Sequence, residues 1–408
     1  MSRTDPQGGQ IMPVLLASLA IGVAAIFISH RVSRALTQES VVVNAADAAA
    51  YSGASWTARR LNLIAYTNRA LVANHIAVGH LVAYISWLRY MDKGVERVNR
   101  YARYLPYVGA ATTAAERTVA AALLGSEKAA GLTIRGVDLL HRLMAVTQLD
   151  ARQNLRPARV DEVMRRVAHQ YDEALKINHQ KATDAIPQPY QAAMEGLLLG
   201  RRVSAYFKLE RSRTGGDRGY FTRLVARTID HDPRLRRWLR GSRSRTARGF
   251  GGGGRTWRLS LPLTVRFRKQ GNTHQPPLPD AGGWRSADRL QVGFFNAEKL
   301  DWGSWITLAR GRADADRLAG NYRGVRNYTR LRDRRPDEEL LQIPALVTTP
   351  LPGGDEAPAI NAHLSVASVR YHIPSQCRRG CPAPDETASL FNPYWEAALV
   401  PPSLPGLP

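Results

Sequence analysis

Residues 11–29 read IMPVLLASLAIGVAAIFIS, a stretch without a single charge. At about 1.5 Å per residue a helix of that length is roughly 28 Å long, the thickness of one bilayer core. Pro13 falls in the first turn, where its missing N–H costs little. The stretch predicts an uncleaved membrane-spanning helix rather than a signal peptide. The preceding residues hold only Arg3 against Asp5, and SHRVSR follows the apolar run where an A-x-A-like cleavage site would stand. Flanking charge weakly opposes an orientation with the N-terminus inside, because Arg31 and Arg34 follow the span while Arg3 and the amino terminus alone precede it, and composition by itself leaves the topology open. A second apolar stretch, residues 71–88, is interrupted by Asn74, His75 and His80; polar groups are costly in lipid, so it predicts a buried soluble helix.

Beyond the span no proline occurs before Leu105, and Leu61, Ile64, Leu71, Ile76, Val82 and Ile85 recur at helix-like spacings. Pro106 and Gly109 punctuate the chain before helices predicted at 111–149 and 160–177. The second of these places Val163, Val167, Tyr171 and Leu175 on one stripe and Arg165, Arg166, Asp172 and Glu173 on a solvated face. A further helix is expected at 191–209, after Pro187 and Pro189. Residues 211–258 form an Arg-rich connector with room for a short helix, and its glycine run at 249–254 reads as a flexible loop.

From Arg255 the period changes to two: Trp257, Leu259, Leu261, Leu263, Val265 and Phe267 alternate with mostly polar or basic residues, and Pro262 marks an edge strand. Strands are also expected at 290–295, 345–349 and 364–371. The expected fold is α+β. A short cytoplasmic segment (1–10) precedes the transmembrane helix (11–29), a helical bundle region (30–210), the connector (211–258), a β-rich domain (259–400) and a Pro-rich tail (401–408).

Gly9-Gln10-Ile11-Met12-Pro13, the apolar run, and then Asn44-Ala45-Ala46-Asp47-Ala48-Ala49-Ala50-Tyr51-Ser52-Gly53-Ala54 together resemble the N-terminal module of TadE/TadG-like Flp pilus-assembly proteins. Near the other end, Asn392-Pro393-Tyr394-Trp395-Glu396-Ala397-Ala398-Leu399 is similar to the ending of longer relatives. The resemblance covers about fifty residues at the start and fewer than ten at the end. It implies an anchor with its N-terminus in the cytoplasm, a body outside it, and a non-catalytic role in building or stabilising a Tad-type pilus. Processed pilin-like relatives carry Glu at the fifth mature position, where Val14 stands here, so the anchor is expected to be retained. The small residues from Ala45 to Ala54 predict a thin helix face for a partner helix, with packing on the chain's own domain as the alternative.

The chain carries 57 Lys and Arg against 34 Asp and Glu, a formal charge of +23. That balance favours anionic partners such as lipid head groups, cell-wall polymers or nucleic acid, and it also matches a merely solvated basic surface. Tyr220, Phe221, Trp238, Phe250 and Trp257 interleave with the arginines of 211–258, the pattern single-stranded nucleic acid would use, but the basic-surface reading is preferred. No GxSxG, HExxH or Walker A lysine is present, and His75 and His80, five apart, fall on different helix faces. Asp161, Glu162, Asp172 and Glu173 read as solvated helix charges. No enzyme, metal or cofactor is expected. Cys377 and Cys381 lack redox-motif spacing and are expected to form a structural disulfide rather than remain free thiols.

Overall fold

The computed structural model describes residues 11–178, 209–213, 220–239, 251–253, 255–261, 265–275, 283–296, 301–322, 324–325, 327–331, 341–349, 362–372 and 388–401. Gly9, Gln10, Pro262, Leu263, Cys377, Cys381, the predicted helix through residue 208 and the tail from 402 lie outside them.

With no proline after Pro13 to break it, one helix, α1, runs for 92 residues from Ile11 to Ala102. The turn that ends it carries Pro106 and places Tyr107 at a φ of 63°. Gly109 then lies so close to the Arg103 backbone that no side chain fits. From there α2 (Val108–Gln153) returns antiparallel along α1, and α3 (Pro157–Ala168), with Pro at its N-terminus, packs back on α1. The predicted helix 160–177 stops early. Its buried stripe is Val160, Met164 and Ala168, Tyr171 is exposed, and Lys176–Ile177 is a short strand, β1.

Of the remaining elements, most pack against the same helix. In chain order the remaining elements are β2 (Leu209–Ser212), α4 (Tyr220–His231), α5 (Pro233–Leu239), β3 (Gly251–Gly253), β4 (Thr256–Ser260), β5 (Val265–His274), β6 (Arg285–Asn296), β7 (Asp301–Trp302), β8 (Ile306–Asp314), α6 (Ala315–Ala319), β9 (Tyr328–Leu331), β10 (Leu341–Thr348), β11 (Ala362–Tyr371) and β12 (Trp395–Val400). A four-stranded antiparallel sheet, ordered β1-β10-β11-β12, covers α1 near Ala49 to Ile64. A six-stranded sheet, β3-β4-β5-β6-β7 with β8 also on β6, covers it farther along. The pair β2–β9 lies outside both sheets. The fold is α+β: among the described residues the antiparallel pair α1–α2 and α3 are completed by the sheets together with the shorter helices α4 and α5.

Three readings need correction. The predicted strand through Pro262 is two strands: β4 and β5 pair antiparallel, Ser260 opposite Arg266, and the Leu261 amide donates to the Val265 carbonyl at 2.9 Å, closing a hairpin. Among its described residues the connector holds two helices, α4 and α5, and Gly251–Gly253 of the glycine run pairs with β4 as an edge strand. The small face of α1 is covered by its own domain: Ala45, Ala46, Ala49, Ala50 and Ala54 are fully buried. A Cβ on Gly53 would lie 2.9 Å from the Met164 side chain and 3.2 Å from Ile343. Small residues there let α3 and the four-stranded sheet approach the helix backbone.

Farther along, Gly79 takes the Trp284 ring, and Gly311 of β8 lies against the α1 backbone at Ser86 and Tyr90. A methyl at Gly311 would strike main-chain atoms that move only if the helix bends. Gly311→Ala is therefore expected to cost about 2–3 kcal/mol and to lower the melting temperature of the detergent-solubilised chain by roughly 5 °C or more. Gly125→Ala, on an open face of α2, is expected to stabilise by up to about 1 kcal/mol. Equal melting shifts for the two variants would contradict this packing.

Candidate functional site

The first candidate is the exposed part of α1. From Met12 to Ser40 every residue is exposed, including Val14, Leu15, Leu16, Leu19, Ile21, Val23, Ile26, Phe27 and Ile28. Among the described residues α1 is the one helix long and apolar enough to cross a membrane. Ser18, the polar residue within the run, returns its hydroxyl to the Leu15 carbonyl at 2.9 Å. At the far end of the run the Arg31 guanidinium lies 5.0 Å from the centre of the Phe27 ring, an arrangement that suits a charged head leaving an apolar layer.

Past Val42 the same helix becomes a buried spine with polar side chains aimed at particular partners. Asn62 pairs with the Trp395 backbone in both directions, donating to its carbonyl at 2.8 Å and accepting from its amide at 3.0 Å, and so fixes the start of β12. Asn68, fully buried, donates to the carbonyls of Thr329 (2.8 Å) and Leu390 (2.7 Å). Its own carbonyl accepts from Gln148 of α2, which also accepts the Thr329 amide at 2.8 Å. Two amide side chains thus join α1, α2, β9 and the approach to β12, with each buried group satisfied.

These contacts account for most of the described residues behind the resemblance. The Ala45 to Ala54 face and Trp395 lie at the seam between α1 and the four-stranded sheet, while Asn44 is exposed and Asp47, Ala48, Asn392, Pro393 and Tyr394 are half-buried. Tyr394 packs edge-on against Tyr371, and Pro13 starts the exposed helix. The motif residues within the fold are joints between elements.

A buried charge cluster clamps the six-stranded sheet to α1. Asp288 is ion-paired with both Arg255 and Lys269, and all three are almost wholly buried. Arg255 also donates to Thr273 (2.6 Å) and Ser286 (2.8 Å), and the Lys269 ammonium to the Arg255 carbonyl (2.9 Å). Ser86 of α1 donates to the Asp288 carboxylate at 2.7 Å. Burial pushes Lys269 below the usual ammonium range and Asp288 partly restores it; burial raises the Tyr90 phenol beside them. Removed from solvent and bonded on every side, the cluster is suited to holding elements together rather than to chemistry on a substrate.

The histidines read as core. The His75 ring meets the Tyr322 hydroxyl at 2.8 Å and the Gln275 amide on its other side, and packs beside Phe221 and Trp284. His141 is buried with both ring nitrogens unpartnered, next to a cleft of about 280 Å³ lined with Asp138, Arg142, Ala145 and Asn327. No group of three or more His, Cys, Asp or Glu able to hold a metal occurs among the described residues. The four acidic residues singled out do not converge: Glu162 pairs with Arg159, Asp161 accepts from Asn178, and Asp172 caps the Ala174 amide.

The aromatic residues between the connector's arginines are engaged within the fold. Phe221 is buried against Tyr328 and Phe391, Tyr220 packs on Phe391, and Trp238 packs against the main core; Phe250 lies outside the described residues. Sequence reasoning missed Asn62, Asn68, Gln148 and Asp288, whose only sequence signal is a polar residue in an apolar helix or strand. No protein family, no curated protein and no solved structure matches the chain.

Burial holds His75 at about 3 and His141 at about 4, below the 6.5 of an unfolded chain. The unfolded state therefore binds more protons below pH 6.5, and stability contributed by these neutral rings falls as pH drops from about 6.5 toward about 4. At pH 5 each should cost about 2 kcal/mol relative to pH 7.5. Denaturant midpoints at the two pH values test this. His141→Leu should reduce the acid sensitivity, and an unchanged pH slope in that variant would contradict the assignment.

Proposed function

We propose that the chain is a membrane-anchored, non-catalytic accessory protein that helps assemble or anchor a Tad/Flp-type pilus, held in the bacterial inner membrane with nearly all its mass outside the cytoplasm. The observation that carries this reading is the continuity of α1: an exposed apolar segment long enough for a bilayer runs without a break into the spine of the folded body. A body mounted on its anchor by one helix is suited to holding a position relative to the membrane. The resemblance of residues 9–54 and 392–399 supplies the pilus context and the orientation. Other envelope or pilus-assembly proteins are its partners in this reading.

The alternative, a membrane-tethered nucleic-acid-binding module with a cytosolic body, draws support from the overall positive charge. It loses the interleaved aromatics, since Phe221, Tyr220 and Trp238 pack within the fold.

A phosphatase fused after Pro408 should be active and a fluorescent cytosolic reporter at the same site dark. The full chain should fractionate with the membrane, and residues 41–408 should be released. Deleting the gene should abolish surface fibres, restored by the full chain and not by residues 41–408. A bright cytosolic reporter with an inactive phosphatase would overturn the placement, and normal fibres in the deletion strain would overturn the pilus role.

A further inference from the structure

The two faces of the six-stranded sheet use arginine in opposite ways. Along β5, Lys269, Gly271 and Thr273 face α1, so Arg266, Arg268 and Gln270 face away. The pairing register puts Arg258, Arg289, Arg310 and Arg312 on that same outer face, with Arg285 at its end. Among the described residues, Arg285 is the one of these seven arginines in an ion pair, with Asp314 at 3.1 Å. Arg258, Arg289, Arg310 and Arg312 are exposed, and Arg266 and Arg268 are half-buried.

Two features make this more than a solvated surface. First, Arg258 stands directly opposite Arg268 and Arg289 directly opposite Arg310, like-charge cross-strand pairs that destabilise a sheet unless an anion sits between them. Second, Arg268 and Arg289, at the centre of the face, are held by neutral partners, while Asp301 acts on Arg266 and Asp314 pairs with Arg285 at its ends. Arg268 donates through Nε to Gln291 at 2.8 Å, and Arg289 through Nε to Gln270 at 3.1 Å, a reciprocal pair that leaves the outer forks free. Arg268 is further stacked on Trp305 at 4.0 Å, and Arg266 lies over both Trp305 (4.4 Å) and Trp302 (4.6 Å). Burial, followed by the charges of Arg289, Arg258 and Arg266, lowers the Arg268 pKa.

The occupant follows from chemistry and position. Spacings of about 4.8 Å across strands and about 6.8 Å along them present a band of planar forks to a linear polymer with repeating carboxylates, which arginine takes in bidentate fashion. Lipid of the anchoring bilayer is out of reach. Ser86, against which the sheet packs, is 57 residues beyond Ser29, about 85 Å of helix, against a screening length of about 10 Å. Single-stranded nucleic acid would stack its bases on open aromatic faces, whereas both indoles here are half-buried and already stacked with Arg266 or Arg268. We propose that the outer face of the six-stranded sheet, centred on Arg258, Arg268, Arg289 and Arg310, binds a linear carboxylate-bearing polysaccharide of the cell envelope. This rests on the extracytoplasmic placement proposed above.

The test uses the full chain in nanodiscs and polygalacturonate as the probe, with neutral dextran as control. Polygalacturonate should bind and dextran should not. The variant Arg258→Gln, Arg268→Gln, Arg289→Gln, Arg310→Gln should lose at least tenfold in affinity while its melting temperature holds or rises, because cross-strand repulsion is relieved. A variant with the same charge change elsewhere, Arg117→Gln, Arg135→Gln, Arg165→Gln, Arg166→Gln, should bind within twofold of the parent. Equal losses in both variants would reduce the effect to net charge and overturn the site. Tighter binding of a single-stranded oligonucleotide, or of anionic vesicles, through the same four arginines would also overturn it. The binding assay does not depend on topology: a cytosolic reporter with binding intact would remove the envelope placement alone, and an extracytoplasmic body that binds no polygalacturonate would remove the polysaccharide site alone.

Discussion

Most of the described elements pack on one helix. The two sheets, α2 and α3 find their common ground on α1, and the sheets bury different stretches of it. The constraint is close approach. Where the four-stranded sheet and α3 meet the helix, alanines and Gly53 remove side-chain bulk so that Met164 and Ile343 reach the backbone. Where the six-stranded sheet meets it, the bulk is removed from the sheet instead, at Gly311. Between these seams the helix turns polar groups inward, and each is answered by a backbone group or an amide of another element.

The same helix explains why the buried polar groups do not read as an active site. Asn62, Asn68 and Ser86 are spaced along one rod and each serves a different joint. Burying Arg255, Lys269 and Asp288 together demands that each charge be paired and bonded, and removing one partner would leave an uncompensated charge in the core. On the opposite face of that sheet six of seven arginines have no ion pair among the described residues, so charge is neutralised where it is enclosed and left open where it meets solvent.

Much of this was legible in the sequence and some was not. The exposed apolar segment was legible as an uncharged run, and the long proline-free helix and the strands near 290–295, 345–349 and 364–371 followed from periodicity, because an apolar stripe of period two or 3.6 is a local signal. The end of α3 was misplaced because Tyr171 and Leu175 keep helical spacing past Ala168, whereas pairing of Lys176 with Thr348 draws the chain into the sheet. The β4–β5 hairpin read as one strand because both arms alternate in phase across the turn. The alanine face was assigned to a partner helix when its partner is the chain's own sheet, a distinction that composition does not carry. The arginine face was present as alternation, Arg266 with Arg268 and Arg310 with Arg312, but only the pairing register shows that these strands bring their arginines to one side.

The central claim is that the exposed apolar segment and the buried spine are one rigid rod. It is tested most directly by electron–electron distance measurement between spin labels at Ser33 and Arg59, both exposed, in a Cys377→Ser, Cys381→Ser background with the protein in nanodiscs. Twenty-six residues of unbroken helix predict a single narrow distribution centred near ~39 Å between backbone positions, before allowance for the label arms. A broad distribution, or a centre shorter by ~10 Å or more, would place a hinge between the apolar segment and the body and contradict the account.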